Sequence, residues 1–393
     1  MAVTLARRMD DLKASEIREI LKITENPEVI SFAGGLPAPE LFPVQEMKIV
    51  SAQVLEENGS QVLQYSTTEG FVPLRKQIAE RMNRKFKTRV TYENIQIISG
   101  SQQGLDFSGK LFIDEGDVVL CESPTYLAAI SAFKAYRPVF LEVPTDDNGM
   151  IIEELEKILE TTTRIKFIYV IPDFQNPSGR TWSLERRQRF MELVNRYEIP
   201  VIEDNPYGEL RFEGEMLPAL KSFDTKGLVI FISTFSKVFC PGLRIGWIAA
   251  DANFLKKYIL IKQGADLHTS SISQGEIAKF IELYNLDANI EKIKKVYRRR
   301  RDIMLKTMEE EFPENVNFTY PQGGLFTWVV LPPHIKAADL LVRCLKHNVA
   351  FVPGDSFFPN GGVTNTMRLN YSNMPEERIV EGIKRLAKAI KEY

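Results

Sequence analysis

The residues best suited to chemistry lie in the stretch Ser233-Thr-Phe-Ser-Lys-Val-Phe-Cys-Pro-Gly-Leu-Arg244. Lys237 follows an apolar run, Leu228–Ile232, that reads as a buried strand, and it is hemmed by Phe235, Val238 and Phe239. Poor solvation disfavours the ammonium form, so an amine placed there is available as a neutral nucleophile. A lysine tuned in this way suits Schiff-base chemistry with a carbonyl. Ser233, Ser236 and Arg244 around it make an anion-binding set, with the arginine offering a planar fork to phosphate. A Schiff-base lysine beside a phosphate site points to pyridoxal phosphate (PLP). Taken alone, Ser-x-x-Lys describes an ordinary surface lysine after a strand equally well, so the rest of the chain must decide.

Further polar clusters supply the other parts of such a site. Ser99-Gly-Ser-Gln102 lies between a short apolar run, Ile95–Ile98, and a helical stretch. The free N–H groups and positive dipole end of a helix N-terminus suit a phosphate there, which singles out Gly100, Ser101 and Gln102. Tyr126 follows the strand Val118–Cys121, where its ring can stack on a flat heteroaromatic system. Asn176, in Asn-Pro-Ser-Gly179, and Tyr207 can both reach one ring oxygen. Asp204 ends the strand Pro200–Glu203, and a carboxylate there can keep a pyridine nitrogen protonated, so that the ring acts as an electron sink. Gly34-Gly35, after Val29–Phe32, marks a bend where backbone can approach a ligand closely. Each cluster also has a plain structural reading: Asn-Pro-Ser-Gly is a good turn, and aspartate is a common cap. Together, in this order, they are hard to obtain from structural demands alone.

The elements that must carry these residues alternate. Short continuous apolar strands at 95–98, 118–121, 138–143, 165–171, 200–203, 228–232 and 245–249 are separated by helical stretches. This pattern predicts an α/β fold whose mainly parallel sheet is covered on both faces, with ligands at the carboxyl ends of the strands. A helix is expected from Pro43 to about Glu57, and another over Val72–Phe86. Leu286–Glu311 is long, charged and amphipathic, a bridge to a smaller α+β part with strands at 316–320, 326–330 and 366–370 and helices at 337–347 and 375–392.

Composition narrows the function classes. The chain has 393 residues, a length that favours more than one core, and is 44% hydrophobic and 26% charged, as expected of a soluble globular protein. Fifty Lys and Arg against 52 Asp and Glu give a net charge of −2, so no basic field favours nucleic acid. Arg298–Arg301 reads as a solvated helix face. Cys121, Cys240 and Cys344 are scattered and odd in number, predicting neither a disulfide framework nor a metal site. Without a signal-like segment or an apolar run near membrane length, a cytoplasmic protein with no membrane partner is expected.

In combination, these motifs resemble those of the class I (fold type I) PLP-dependent aminotransferases, over nearly the whole chain from about residue 10. The resemblance rests on Phe32-Ala-Gly-Gly-Leu-Pro37, Gln64-Tyr-Ser-Thr-Thr-Glu-Gly70, Ser99-Gly-Ser-Gln-Gln103, Gln175-Asn-Pro-Ser-Gly179, Glu203-Asp-Asn-Pro-Tyr207, Ser233-Thr-Phe-Ser-Lys237, Pro241-Gly-Leu-Arg244 and Arg368-Leu-Asn-Tyr371. Gln263-Gly-Ala-Asp-Leu-His-Thr269 and the 32–40 stretch most resemble the 2-aminoadipate subgroup, which includes broad-specificity and aromatic enzymes. Pro206 departs from the alanine common in more distant relatives, while the spacing of Asp204 and Tyr207 is kept.

The resemblance implies a large domain with a mainly parallel, seven-stranded-type sheet between helices, plus a smaller α+β domain. The implied parts are an N-terminal arm contributing to the small domain (1–50), a PLP-binding large domain (51–285), and a linking helix with the C-terminal small domain (286–393). It implies that Lys237 holds PLP and shuttles the substrate proton, that Asp204 pairs with the ring nitrogen, that Asn176 and Tyr207 bind the ring oxygen and that Tyr126 stacks on the ring. Gly100, Ser101, Gln102, Ser233, Ser236 and Arg244 would hold the phosphate. Arg368 would grip the substrate α-carboxylate, with Asn176 and Gly35 nearby. Tyr65 would reach the phosphate of a neighbouring subunit, making the unit a homodimer. Ser15 and Arg18, three apart on an N-terminal helix, match positions that meet the substrate side chain in the subgroup. The implied activity is ping-pong transamination from an L-amino acid to a 2-oxo acid, 2-oxoglutarate being the expected acceptor. Related transcription regulators carry an aminotransferase-like domain behind a DNA-binding one. The position of the resemblance in the chain and the absence of basic character lead us to expect the enzyme instead.

Overall fold

The computed structural model describes residues 3–9 and 26–393. Apolar runs too short for helices become strands buried on both faces. These are β2 (Ile95–Ile98), β3 (Val118–Ser123), β6 (Ile165–Val170), β7 (Val201–Asp204) and β8 (Val229–Thr234). With β4 (Val139–Asp146), β5 (Gly149–Met150) and β9 (Gly246–Ala249) they form one sheet, in the order β2-β9-β8-β7-β6-β3-β4-β5. Neighbours from β4 through β8 run parallel, while β9 is antiparallel to both β8 and β2. Two reversals leave β2 pointing with β8. The carboxyl ends of β2, β3, β6, β7 and β8 therefore share one edge of the sheet. Setting aside the two-residue β5, which only closes a hairpin with β4, the sheet has seven strands, as expected.

Helices α1 (Val44–Val62), α2 (Val72–Phe86), α3 (Ser101–Phe112), α4 (Leu127–Lys134), α5 (Ile152–Thr161), α6 (Leu184–Tyr197), α7 (Ala252–Ala265) and α8 (Ser271–Leu283) accompany this sheet. Helix α1 runs past the expected end at Glu57, through a kink at Asn58. Val54 and Val62 pack on α8 at Gly275, so tertiary contact carries the helix through a local stop signal.

Helix α9 (Leu286–Glu311) joins two apolar cores. Ile290, Ile293 and Tyr297 belong to the core that includes β2 and β8, and Met304, Leu305 and Met308 belong to a second core. The second core is built on an antiparallel sheet, β10 (Asn317–Phe318), β11 (Phe326–Val330), β14 (Thr366–Asn370) and β13 (Val352–Pro353), with α10 (Ala337–Lys346) and α11 (Glu376–Lys391). Ile30 and Phe32 pack into it, beside the parallel pair of β1 (Ile30–Ser31) and β12 (Val349–Ala350). The expected strand at 316–320 shortens to β10, since Pro321 has no N–H to extend the ladder. No helix among the described residues is long and apolar enough to cross a membrane.

Candidate active site

The shared edge of the sheet carries several of the predicted residues, among them Lys237, Asp204 and Gly100. Beyond β8 the chain turns at Phe235–Phe239, which buries Phe235, Val238 and Phe239 and leaves Lys237 half-buried between them. Lys237 Nζ donates to the Gly35 carbonyl at 2.7 Å, which brings the Gly-Gly bend into the site. Burial, helped by the positive charges of Arg368 and Arg244, pulls the Lys237 pKa down to about 8, so the neutral amine is accessible near neutrality.

Arg368 sits on β14 with 1% of its surface exposed. Its Nη1 donates to Asn176 Oδ1 at 2.9 Å and its Nη2 to the Ala33 carbonyl at 2.5 Å, while the guanidinium lies 4.2 Å from the Phe326 ring centre. Burial lowers its pKa to about 10, still well charged at neutral pH. Its Nε is buried with no partner among the described residues. Asn176 Nδ2 in turn donates to Tyr207 Oη at 3.4 Å. Burial, followed by the neighbouring Tyr126, raises the Tyr207 pKa, so its phenol stays protonated and can donate.

Asp204 closes β7 and is 2% exposed. Tyr169 Oη donates to its Oδ2 at 2.9 Å, and Oδ1 is buried with no partner among the described residues. Burial pushes Asp204 up to about 7, against the hydrogen bond from Tyr169. A half-satisfied buried carboxylate is costly, and a cationic N–H at Oδ1 would relieve it. Tyr126, at the start of α4, is likewise pushed up to about 12 by burial and by Asp204.

The anion end is built around Gly100, which precedes α3 with φ +80°, a conformation that favours glycine. A Cβ there would collide with the Arg244 guanidinium, whose Nη2 donates to the Ser99 carbonyl at 3.3 Å. Ser101 and Gln102 open α3, where backbone N–H groups lack helical partners. Gln102 is exposed, and its Nε2 donates to the Ala128 carbonyl at 3.1 Å. Ser236 is buried, and its Oγ accepts from Thr234 Oγ1 at 2.9 Å. Ser233 is buried, and its Oγ donates to the Asn205 carbonyl at 2.7 Å, which ties β8 to the end of β7.

Tyr65 is not brought into the cluster of its own chain. It is 79% exposed and meets His268 edge-on, 5.9 Å between ring centres. Ser15 and Arg18 lie outside the described residues.

Several participants escaped the sequence reading. Tyr169, Phe326 and Phe357 hold Asp204 and Arg368, and their only local signal is an aromatic residue in an apolar strand or turn. Lys262 is another. Its Nζ donates to Gln103 Oε1 and Asp266 Oδ1, both at 2.8 Å, and Asp266 Oδ2 accepts from Ser99 Oγ at 3.1 Å, which pins the turn that carries Gly100. A cavity of about 730 Å³ near Arg180 and Tyr320 contains none of the site residues and offers no lysine nucleophile.

The donor set fits PLP: an amine with a lowered pKa, an orphan carboxylate oxygen for a ring N–H, and a glycine-lined helix start beside an arginine for phosphate. Comparison with known proteins agrees. Residues 31–386 match the family described as aminotransferase class I and II. The chain is 48% identical over 385 residues to aromatic-amino-acid aminotransferase 1 of Thermococcus litoralis, covering 97% of this chain and 92% of that one. The solved kynurenine aminotransferase of Pyrococcus horikoshii, in complex with PMP, KYN as substrates and KYA as products, superposes with a TM-score of 0.95 at 41% identity, covering 99% of this chain and 97% of that one. The alpha-aminoadipate aminotransferase of Thermus thermophilus, complexed with N-(5'-phosphopyridoxyl)-L-leucine, gives a TM-score of 0.92 at 41% identity over the same shares. The chain has the fold type I architecture and belongs to the aminotransferase class I and II family.

Proposed function

We propose that this chain moves the amino group of an aromatic L-amino acid, kynurenine or 2-aminoadipate to a 2-oxo acid, with 2-oxoglutarate as acceptor, in two ping-pong half-reactions. The protein is an aminotransferase and its cofactor is pyridoxal phosphate. When bound, PLP supplies the electron sink that lets the substrate Cα–H ionise. The donor range is supported by the names of its relatives, which act on aromatic amino acids, kynurenine and alpha-aminoadipate.

The observation that carries the reading is Asp204 Oδ1, without a partner among the described residues, on a carboxylate close enough to shift Tyr126, with Arg368 acting on both Tyr126 and Lys237. Asp204 Oδ1 would hold the ring nitrogen, Tyr126 the ring face, and Asn176 with Tyr207 the ring oxygen. Gly100, Ser101, Gln102, Ser236 and Arg244 would hold the phosphate. Lys237 would hold the cofactor covalently and, once released, shuttle the proton between the substrate Cα and C4′ of the cofactor. Arg368, braced by Asn176 and Ala33, would receive the α-carboxylate as a bidentate pair. The working division is a cofactor-binding unit over 51–285, with 1–50 and 286–393 closing on the substrate.

The active unit in this reading is a homodimer. Tyr65 is free to reach a neighbour's phosphate, and α1 exposes Val44, Ile49 and Leu55 beside an apolar cavity of about 470 Å³ at Phe42, Met47 and Cys240. The free thiols of Cys121, Cys240 and Cys344 support a reducing compartment, the cytoplasm. Arg18, with Ser15, is assigned to the distal carboxylate of dicarboxylic donors. Arg18→Ala is expected to raise KM for 2-aminoadipate and glutamate about tenfold or more, the worth of one charge-assisted contact, and to leave aromatic donors unchanged. An equal loss for all donors overturns that assignment.

A half-reaction scan tests the whole. The PLP enzyme is mixed with single amino acids and no oxo acid, and the cofactor's absorbance band is followed. Loss of the band with phenylalanine, kynurenine and 2-aminoadipate, and its recovery on adding 2-oxoglutarate, is the expected result. A band that shifts but never converts means a binding module or another PLP chemistry.

A further inference from the structure

We propose that Tyr169 is a positioning residue for the amino-transfer site: its hydroxyl fixes one oxygen of Asp204, so that the carboxylate stays ionised and presents Oδ1 to the ring nitrogen of the cofactor. This rests on the assignment of Asp204 to that nitrogen, made above.

The geometry is specific. Tyr169 lies on β6, beside Ile202 of β7, and its side chain is fully buried. Its ring is held edge-on by Phe133 at 5.6 Å between centres, and its Oη donates to Asp204 Oδ2 at 2.9 Å. A phenol has one proton to donate, and here it is committed to this carboxylate. Oδ2 is thereby satisfied, and Oδ1 is left without a partner among the described residues. The single bond removes rotational freedom about the carboxylate, distinguishes its two oxygens and aims the unsatisfied one. It also favours the charged form, opposing the burial that would otherwise protonate Asp204 and leave it unable to pair with a cationic N–H.

Tyr169 needs no contact with substrate for this. Its effect passes through Asp204 to the ring nitrogen, and the rest of its ring does only what a phenylalanine could do among Phe133 and its neighbours. Removing the hydroxyl therefore makes the Asp204 carboxylate more basic. A more basic carboxylate draws the shared proton towards itself and away from the ring nitrogen.

The test uses the dimeric holoenzyme reconstituted with PLP labelled with 15N in the ring. In Tyr169→Phe, the ring-nitrogen NMR signal is expected to move towards the unprotonated position at neutral pH, and the dissociation constant for PLP to rise about tenfold, the worth of one hydrogen bond to a charged group. In an Asp204→Asn background the same substitution should add nothing to the loss of PLP affinity. Should Tyr169→Phe fold poorly, 3,5-difluorotyrosine at 169, isosteric and a stronger donor, should move the signal the opposite way. A wild-type signal and affinity in Tyr169→Phe, or an equal loss of affinity in both backgrounds, overturns the proposal while leaving the Asp204 assignment standing. An Asp204→Asn enzyme with an unchanged ring-nitrogen signal overturns that assignment and this proposal together.

Discussion

To hold the cofactor Lys237 would act as a neutral amine, and its surroundings push it that way with two effects of the same sign. Burial removes water from the ammonium, and Arg368 and Arg244 repel it, so the group titrates near 8 and not near 10.5. Above that midpoint the amine is neutral and nucleophilic; below it the proton blocks the lone pair. Capture of PLP by the apoenzyme should therefore accelerate from pH 7 to 9 and level off beyond, as read by stopped-flow absorbance. Arg368→Leu takes away one of the two repelling charges without touching the anion end, and should shift the midpoint upwards. A midpoint near 10.5 in the unmodified protein would show that the lysine is solvated. This lysine was legible in the sequence because a cation between Phe235, Val238 and Phe239 contradicts its neighbours. Asp204 stood out as a carboxylate closing an apolar strand, Asn176 in its Asn-Pro-Ser-Gly turn, and Arg244 in the same stretch as Lys237. Tyr169 was not, because a tyrosine in a buried strand contradicts nothing until its hydroxyl finds Asp204, 35 residues away. The Ala33 carbonyl under Arg368 was invisible in the same way, since a backbone oxygen has no residue type to read.

The elements turn scattered residues into one site by ending on the same edge of the sheet. Their existence followed from short apolar runs, but their directions did not. The reversal at β9, which lets β2 point with β8 and brings Gly100 beside Arg244, is set by pairing between Ile232 and Ile248 and between Ile97 and Trp247, not by any local pattern. Helix α5 also went unread: Ile152, Leu155 and Leu159 give it a buried stripe, but the hairpin before it, turning through Gly149, blurred its start. The anion end depends most closely on a single backbone conformation. Gly100 combines φ +80° with a Cβ position already filled by Arg244. Gly100→Ala therefore has to strain the turn, by about 1–3 kcal/mol for an alanine held at φ +80° and ψ 160°, a region essentially reserved for glycine, and displace the guanidinium as well. Loss of PLP affinity by about tenfold or more is expected, with a modest fall in Tm of the apoenzyme, measured by fluorescence titration and calorimetry. Unchanged affinity would mean that the turn is not the phosphate site.

At the scale of the whole molecule, a single chain gathers most of the described residues of the proposed site, and Tyr65 stands apart from them. Tyr65 sits far out on the surface, 79% exposed, with the edge of His268 against its ring. An aromatic ring left so open gains little from burial within its own chain, whereas a partner's phosphate would give its hydroxyl a charged acceptor. Two defective chains can decide whether it crosses. One carries Lys237→Ala, the other Tyr65→Phe, each with its own affinity tag, and the hybrid dimer is isolated through both tags in turn. If Tyr65 serves the neighbouring subunit, one site of the hybrid collects both defects, and the other combines an intact Lys237 with an intact Tyr65 from across the interface. At limiting PLP, where the Tyr65→Phe homodimer loses its cofactor, the hybrid should recover about half the activity of the unmodified dimer, one working site of two. If Tyr65 serves its own chain, neither site in the hybrid is intact, and activity stays at the level of the two parents. The same outcome would follow if the chain worked as a monomer, so recovery in the hybrid tests at once the placement of Tyr65 and the need for a second copy to complete the site.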